Sequence, residues 1–134
     1  MQIFKKLKEV WKDLDHPFIV SDNREKYFND LLNINSDHLN DVKKGDIVLL
    51  IGDFDDITLF NFFKLIEIGA IIVPVIKETK KEHKNYCLIT SANKIISGCK
   101  VDNIIKKNDI NENILLKKLK VKGNSGIIFF SSGT

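Results

Sequence analysis

The residues best suited to chemistry lie at positions 126–134, GIIFFSSGT. An apolar run from Ile127 stops after Phe130 at Ser131, Ser132, Gly133 and Thr134. The pattern predicts a buried strand over residues 126–130 that opens into a small, hydroxyl-rich loop. Such a loop can bring backbone N–H groups and hydroxyls to an anionic oxygen, because glycine removes the Cβ barrier and serine or threonine adds donors. A complete phosphate loop needs more glycine and a lysine, and neither follows Thr134 within this sequence. A second polar cluster, Asp53, Asp55 and Asp56, stands just behind the apolar run IVLLI at 47–51. Acids there suit the first turn of a helix, where the helix dipole favours negative charge. His16, His38 and His83 are isolated, and Cys87 and Cys99 do not form a C-x-x-C pair. No metal site is therefore expected, and the cysteines read as reduced thiols.

Several elements must position these residues. Ile3, Leu7, Val10, Trp11 and Leu14 fall at helical spacing and predict an amphipathic helix over residues 1–14, ended by Pro17. Trp11 reads as a packing residue. Residues 18–20 read as a short strand, with a turn at Ser21-Asp22-Asn23. Tyr27, Leu31, Leu32, Ile34 and Leu39 suggest a helix over 27–40, weakened by Asn33, Asn35 and Ser36. The run at 47–51 is short, β-branched and bounded by Gly45 and Gly52, the mark of a strand buried on both faces of a parallel sheet. A helix to about Ile68, a stop at Gly69 and a second buried strand at 71–75 complete a βαβ unit with a right-handed crossover. Thr79-Lys80-Lys81-Glu82 matches a capping box and predicts a helix over 80–91. A third strand is expected at 94–97, irregular chain at 99–108, and a helix over 110–119. The reading is one α/β unit over residues 1–134, with a mainly parallel sheet and helices on both faces.

Composition sets outer bounds. The 134 residues carry a formal charge of +3, with Arg24 the sole arginine. A nucleic-acid reader is normally more basic and richer in arginine, so no nucleic-acid partner is expected. No apolar run reaches about 18 residues, so no membrane span is expected. Residues 1–14 intersperse lysines and lack the apolar core of a signal peptide, which gives a cytoplasmic reading.

Val42-Lys43-Lys44-Gly45-Asp46-Ile47-Val48, followed by a helix and then Gly69-Ala70-Ile71-Ile72-Val73-Pro74-Val75, resembles the early region of the adenylate-forming (AMP-binding) enzymes, which include acyl-CoA ligases and the adenylation domains of peptide synthetases. Ser91-Ala92-Asn93-Lys94-Ile95-Ile96 is similar to that family's next helix-to-strand step. Phe129-Phe130-Ser131-Ser132-Gly133-Thr134 is similar to the start of its phosphate loop. The resemblance covers residues 18–134, with residues 1–17 as an N-terminal helix before it. Two departures stand out. Lys26-Tyr27-Phe28-Asn29-Asp30-Leu31 replaces the family's Thr-Tyr-x-Glu-Leu, and the continuation Thr-Gly-x-Pro-Lys-Gly is absent. The resemblance implies the incomplete N-terminal part of a larger ligase domain. The full enzyme would use ATP and Mg to turn a carboxylate into an acyl-adenylate, then pass the acyl group to coenzyme A or a carrier-protein thiol. It further implies that Ser131, Ser132, Gly133 and Thr134 contact the ATP phosphates in the full-length context. The 134 residues alone are expected to be inactive and to bind no cofactor, since most of the active site would lie elsewhere.

Two alternatives remain at this point. Asp53 with Asp55 two residues on resembles the nucleophile and acid/base pair of haloacid-dehalogenase-like phosphatases. The other alternative is a non-catalytic interaction or binding module derived from such a ligase, with self-association through an exposed sheet edge.

Overall fold

The computed structural model describes residues 2–21, 24–105 and 113–131. The chain opens with helix α1 (Ile3–Val10), a hairpin of β1 (Ile19–Ser21) and β2 (Arg24–Lys26), and a short helix α2 (Phe28–Leu32). Strands and helices then alternate: β3 (Ile47–Ile51), α3 (Asp56–Ile68), β4 (Ile71–Val75), α4 (His83–Thr90), β5 (Lys94–Ser97), β6 (Lys100–Asn103), α5 (Ile114–Lys122) and β7 (Gly126–Ile127). The sheet order is β6-β5-β3-β4-β7, with all neighbours parallel except the β5–β6 hairpin. This is the expected α/β architecture.

The sequence of β3 explains its central place. Ile47, Val48, Leu49 and Leu50 are all buried, as a strand covered on both faces requires. The period of two divides them. Val48 and Leu50 pack with Leu65, Ile72 and Ile96 on the face that α3 covers. Ile47 and Leu49 pack with Ile71, Val73, Ala92 and Leu116 on the face that α4 and α5 cover. Helix α3 starts where the Asp55 carboxylate accepts the Thr58 N–H at 2.8 Å, and ends at Gly69, whose φ of +86° places it in the left-handed region. The outer side of α3 is covered in turn. Phe60 joins Phe4, Phe28 and Leu31 in a third apolar cluster that ties the N-terminal elements to the helix.

Several expectations need correction. Helix α1 ends at Val10, well short of Leu14, and turns Phe4, Leu7 and Trp11 inward while Val10 and Leu14 face solvent. Trp11 meets Phe18 edge-on at 5.1 Å, a packing role. The hairpin partner β2 went unforeseen, and Asp22 and Asn23 of the expected turn lie outside the described residues. The helix expected over 27–40 is broken into α2 and a 3-10 turn at Asp37–Leu39. The break is local chemistry: the Asn35 side chain accepts the Asp37 N–H at 2.6 Å, competing with helix. The predicted capping box fails, because the Thr79 hydroxyl donates to the Ile76 carbonyl within a 3-10 turn, and α4 starts later, at His83. Residues 100–103 form β6 rather than irregular chain, turned back on β5 through Gly98 at φ +58°. Helix α5 runs to Lys122, and residues 110–112 of the expected helix lie outside the described residues. The last strand pairs only over Gly126–Ile127 and lies at the sheet edge, with Ile127 and Phe129 exposed, not buried.

The two thiols differ in setting. Cys99 is exposed in the β5–β6 turn, whereas Cys87 lies half-buried on α4 against the sheet, and burial pushes its thiol pKa up. Since the thiolate is the reactive form, a maleimide should modify Cys99 well before Cys87. Mass spectrometry of a time course reads the order, and equal rates would contradict the packing of α4.

Candidate functional site at the carboxyl edge of the sheet

The motifs singled out by sequence divide between the two ends of the strands. At the amino ends, Gly45 N–H donates to the Gly69 carbonyl at 3.0 Å, and Ile71 N–H donates to the Asp46 carbonyl at 2.8 Å. The Gly45-Asp46 and Gly69-Ala70 steps therefore set the register of β3 against β4. The Asp46 carboxylate accepts the Lys43 N–H at 2.8 Å and the Asn93 side-chain N–H at 2.7 Å, with the Lys94 ammonium at 3.9 Å. Asn93 in turn accepts the Ile47 N–H at 2.7 Å, and Lys94 donates to Asn103 at 2.6 Å. These residues form a polar clamp on the starts of β3 and β5. Their work is structural. Tyr27-Phe28-Asn29-Asp30 is likewise a helix start, where the Asp30 carboxylate accepts the Tyr27 N–H at 2.8 Å.

The carboxyl ends hold the candidate site. Strand β3 sends its connection to α3 on one face, and β4 sends its connection to α4 on the other. Adjacent strands whose connections leave to opposite faces open a crevice at their carboxyl ends, the usual ligand position in α/β sheets. Here a groove of about 380 Å³ opens beside α3, lined by Leu50, Thr58, Phe62, Pro74, Ile76 and Phe129, with Gly52, Phe54, Leu59 and Val75 completing it. Gly52 is required by space: a Cβ there would fall within the Thr58 side chain. Phe54 follows in the left-handed region at φ +54°, with its ring exposed. That backbone state costs a bulky residue about 1–2 kcal/mol. Phe54→Asn is therefore expected to stabilise the protein by about 0.5–1 kcal/mol, since asparagine tolerates this conformation. A rise in the urea midpoint at constant slope is the expected reading, and a fall would mean that the exposed ring contributes packing.

Ser131 leaves β7 at this same edge and is exposed; Ser132, Gly133 and Thr134 lie outside the described residues. The two aromatics before it point to opposite faces. Phe130 stacks on Tyr86 at 4.1 Å between centroids, while Phe129 lines the groove. The acid cluster is committed to the loop. Asp53 accepts the Lys77 N–H at 3.1 Å and lies 3.5 Å from its ammonium, Asp55 caps α3, and Asp56 lies 3.5 Å from the Lys26 ammonium. With its carboxylate holding the Thr58 N–H, Asp55 is poorly placed as an acid/base partner for Asp53. Sequence reasoning did not single out the groove. Its one advance signal was Phe54, a large apolar residue inside the polar stretch Gly52-Asp53-Phe54-Asp55.

No protein-family model matches the chain, and no curated protein matches it. Among solved structures, the chain is similar to the N-terminal subdomain of NpsA from Klebsiella oxytoca, with a TM-score of 0.58 and 22% sequence identity. The match covers 89% of this chain and 32% of that one, so the chain spans about a third of the length of the structure it matches. At this identity the likeness establishes the fold.

Proposed function

We propose that the chain is the N-terminal part of the large domain of an adenylate-forming ligase. The observation that carries the reading is the coincidence of motif and structure. Gly45-Asp46, Gly69-Ala70 and Asn93-Lys94 stand at the starts of three neighbouring parallel strands, and Phe129-Phe130-Ser131 leaves a fourth at the carboxyl edge. The similarity of fold to the NpsA N-terminal subdomain supports the same reading.

In the whole enzyme, Ser131, Ser132, Gly133 and Thr134 would open the loop that holds the ATP phosphates. Hydroxyls and backbone N–H groups there stabilise charge on the oxygens and fix the nucleotide for attack by a carboxylate. Loss of pyrophosphate gives the acyl-adenylate, and a thiol, coenzyme A or that of a carrier protein, then takes the acyl group. Magnesium belongs to the same phosphate chemistry. The 134 residues alone supply the first half of the loop and neither adenine nor carboxylate contacts, so the chain by itself is proposed to be inactive. Reading the gene beyond codon 134 tests the assignment. The sequence Thr-Gly-x-Pro-Lys-Gly or a close variant is expected to follow, and an unrelated sequence would sink it.

A module acting by association is the second reading, and the edge of the sheet favours it. Ile127 of strand β7 and Phe129 just beyond it are exposed, and an apolar edge strand templates pairing with another chain. Sedimentation of the 134-residue protein checks this: dimers that dissociate on Phe129→Asp are expected, and a monomer at all concentrations would remove the reading.

A further inference from the structure

Helices α4 and α5 pack on the same face of the sheet. Tyr86 and Cys87 of α4, and Leu116 and Leu119 of α5, turn inward onto Ile47, Leu49 and Ile71. Positions half a turn away on each helix therefore point outward. There stand Leu88 and Ile89 of α4 and Ile114, Leu115 and Val121 of α5, between 60% and 88% exposed. Single apolar residues on a surface need no account, but five on one face mark a contact. Lys84, Lys117, Lys118 and Lys122 stand among them, all exposed. Neither helix holds an acid: α4 reads HKNYCLIT and α5 reads ILLKKLKVK. Lys26, Lys64, Lys77, Lys94 and Lys100 on other elements each have a carboxylate at 3.0–3.9 Å. Among the described residues, none of the four lysines on this face does. Glu78 and Glu82 precede α4 at the carboxyl edge, whereas Lys122 ends α5 at the amino edge.

We infer that this face rests on a membrane surface that carries anionic lipid headgroups. The unpaired lysines call for an anionic partner, and the aliphatic side chains call for a hydrocarbon boundary beneath it. A lysine stem can lie along that boundary while its ammonium stays among the headgroups. A protein partner fits less well. Protein interfaces favour aromatic residues and arginine and disfavour lysine, and these two helices have no arginine and one aromatic, Tyr86, which turns inward. Nucleic acid fits no better, since phosphate contacts give five exposed aliphatic side chains no partner. No helix among the described residues is long and apolar enough to cross a membrane, and a contact with its surface needs none. The inference goes beyond the proposed activity and does not rest on it.

Sedimentation of the 134-residue protein with vesicles is the test. One set is phosphatidylcholine alone, and the other contains about one third phosphatidylserine, which makes the surface negative. Binding is expected to the second set only, falling as salt rises. Lys117→Glu with Lys118→Glu should weaken it about thirtyfold or more, the product of two lysines near a charged surface. Ile114→Ser with Leu115→Ser should weaken it about tenfold with the charge unchanged. Lys8→Glu with Lys12→Glu makes the same change in charge at exposed positions on the α1 side, across the sheet, and should leave binding within about threefold. All the substituted positions are exposed, so the variants are expected to fold, and circular dichroism checks it. No binding to either vesicle, equal binding to both, or equal loss from the two lysine pairs would overturn the proposal. So would capture of polyglutamate through Lys117 and Lys118 without vesicle binding, which would give the face to an acidic protein. A dimer lost on Ile114→Ser with Leu115→Ser, again without vesicle binding, would give it to a second copy and overturn the proposal too. The ligase assignment is decided by the sequence beyond codon 134, so failure here leaves it untouched.

Discussion

Asp46→Ala is expected to destabilise the protein by about 3 kcal/mol, the lower part of the range for breaking a buried ion pair by removing one partner. Lys94 is 8% exposed, and its ammonium has the Asp46 carboxylate at 3.9 Å and the Asn103 side-chain amide oxygen (Oδ1) at 2.6 Å. Without Asp46 that cation stays buried with one neutral acceptor. The Lys43 N–H and the Asn93 side-chain N–H lose their acceptor in the same step. Asn93 also positions the start of β3 through the Ile47 N–H, so the damage spreads to the central strand. Asp46→Asn keeps an acceptor and the shape, and should cost about 1 kcal/mol, the ordinary worth of a hydrogen bond. Adding Lys94→Met to Asp46→Ala should recover much of the loss, because the unpaired charge is then gone. Chemical denaturation of the three variants reads this directly. Equal losses for Asp46→Ala and Asp46→Asn, with no rescue by Lys94→Met, would mean that the clamp does not act through charge.

The second large effect concerns the N-terminal elements. Phe60→Ala should cost about 3–5 kcal/mol, the range for truncating a buried phenylalanine. Phe60 is 2% exposed and lies 5.6 Å from the Phe4 ring, at the contact of α1 and α2 with the outer side of α3. Beside Phe60, α1 is held by the Phe63 ring edge-on to Phe4 at 5.7 Å, by Leu7 in the same cluster, by the Phe4 N–H to Glu67 at 3.1 Å, and by the Lys64 ammonium 4.9 Å from the centre of the Phe4 ring. The cavity is thus expected to release α1 before the sheet opens, with amides at 4–10 exchanging fast while those of β3 and β4 stay slow. The melting temperature should fall by roughly 10 °C. Uniform loss of protection across β3 and α1 would instead make α1 part of one cooperative core.

How much of this was legible in the sequence follows from how local each signal is. The run at 47–51 announced a doubly covered strand because burial on both faces leaves no polar position. Asp55 and Gly69 bracket α3 because cap chemistry acts within one turn. The hairpin of β5 and β6 was missed because Lys100 and Asp102 look like a solvated loop, and their strand exists through pairing with β5 rather than through any pattern of their own. The helix expected over 27–40 failed for the opposite reason, since apolar spacing continued while Asn35 captured the backbone. At the candidate site, Ser131 was found by its neighbours in sequence. The groove was not, because Leu50, Phe62 and Pro74 come from three separate elements, Phe129 from the segment after β7, and they meet only in the folded sheet. Gly45 and Asp46 are the instructive case. The resemblance drew attention to them, and the fold gives them a purely architectural task.

The proposed ligase origin is most directly tested by carboxylate-dependent exchange of pyrophosphate into ATP, with the 134-residue chain and the gene's extended product assayed side by side across a panel of carboxylates. No exchange is expected from the 134-residue chain, and exchange is expected from the extended protein, lost on Thr134→Ala together with Ser131→Ala. Substantial exchange by the 134-residue chain alone, or none by the extended protein with any carboxylate, would contradict it.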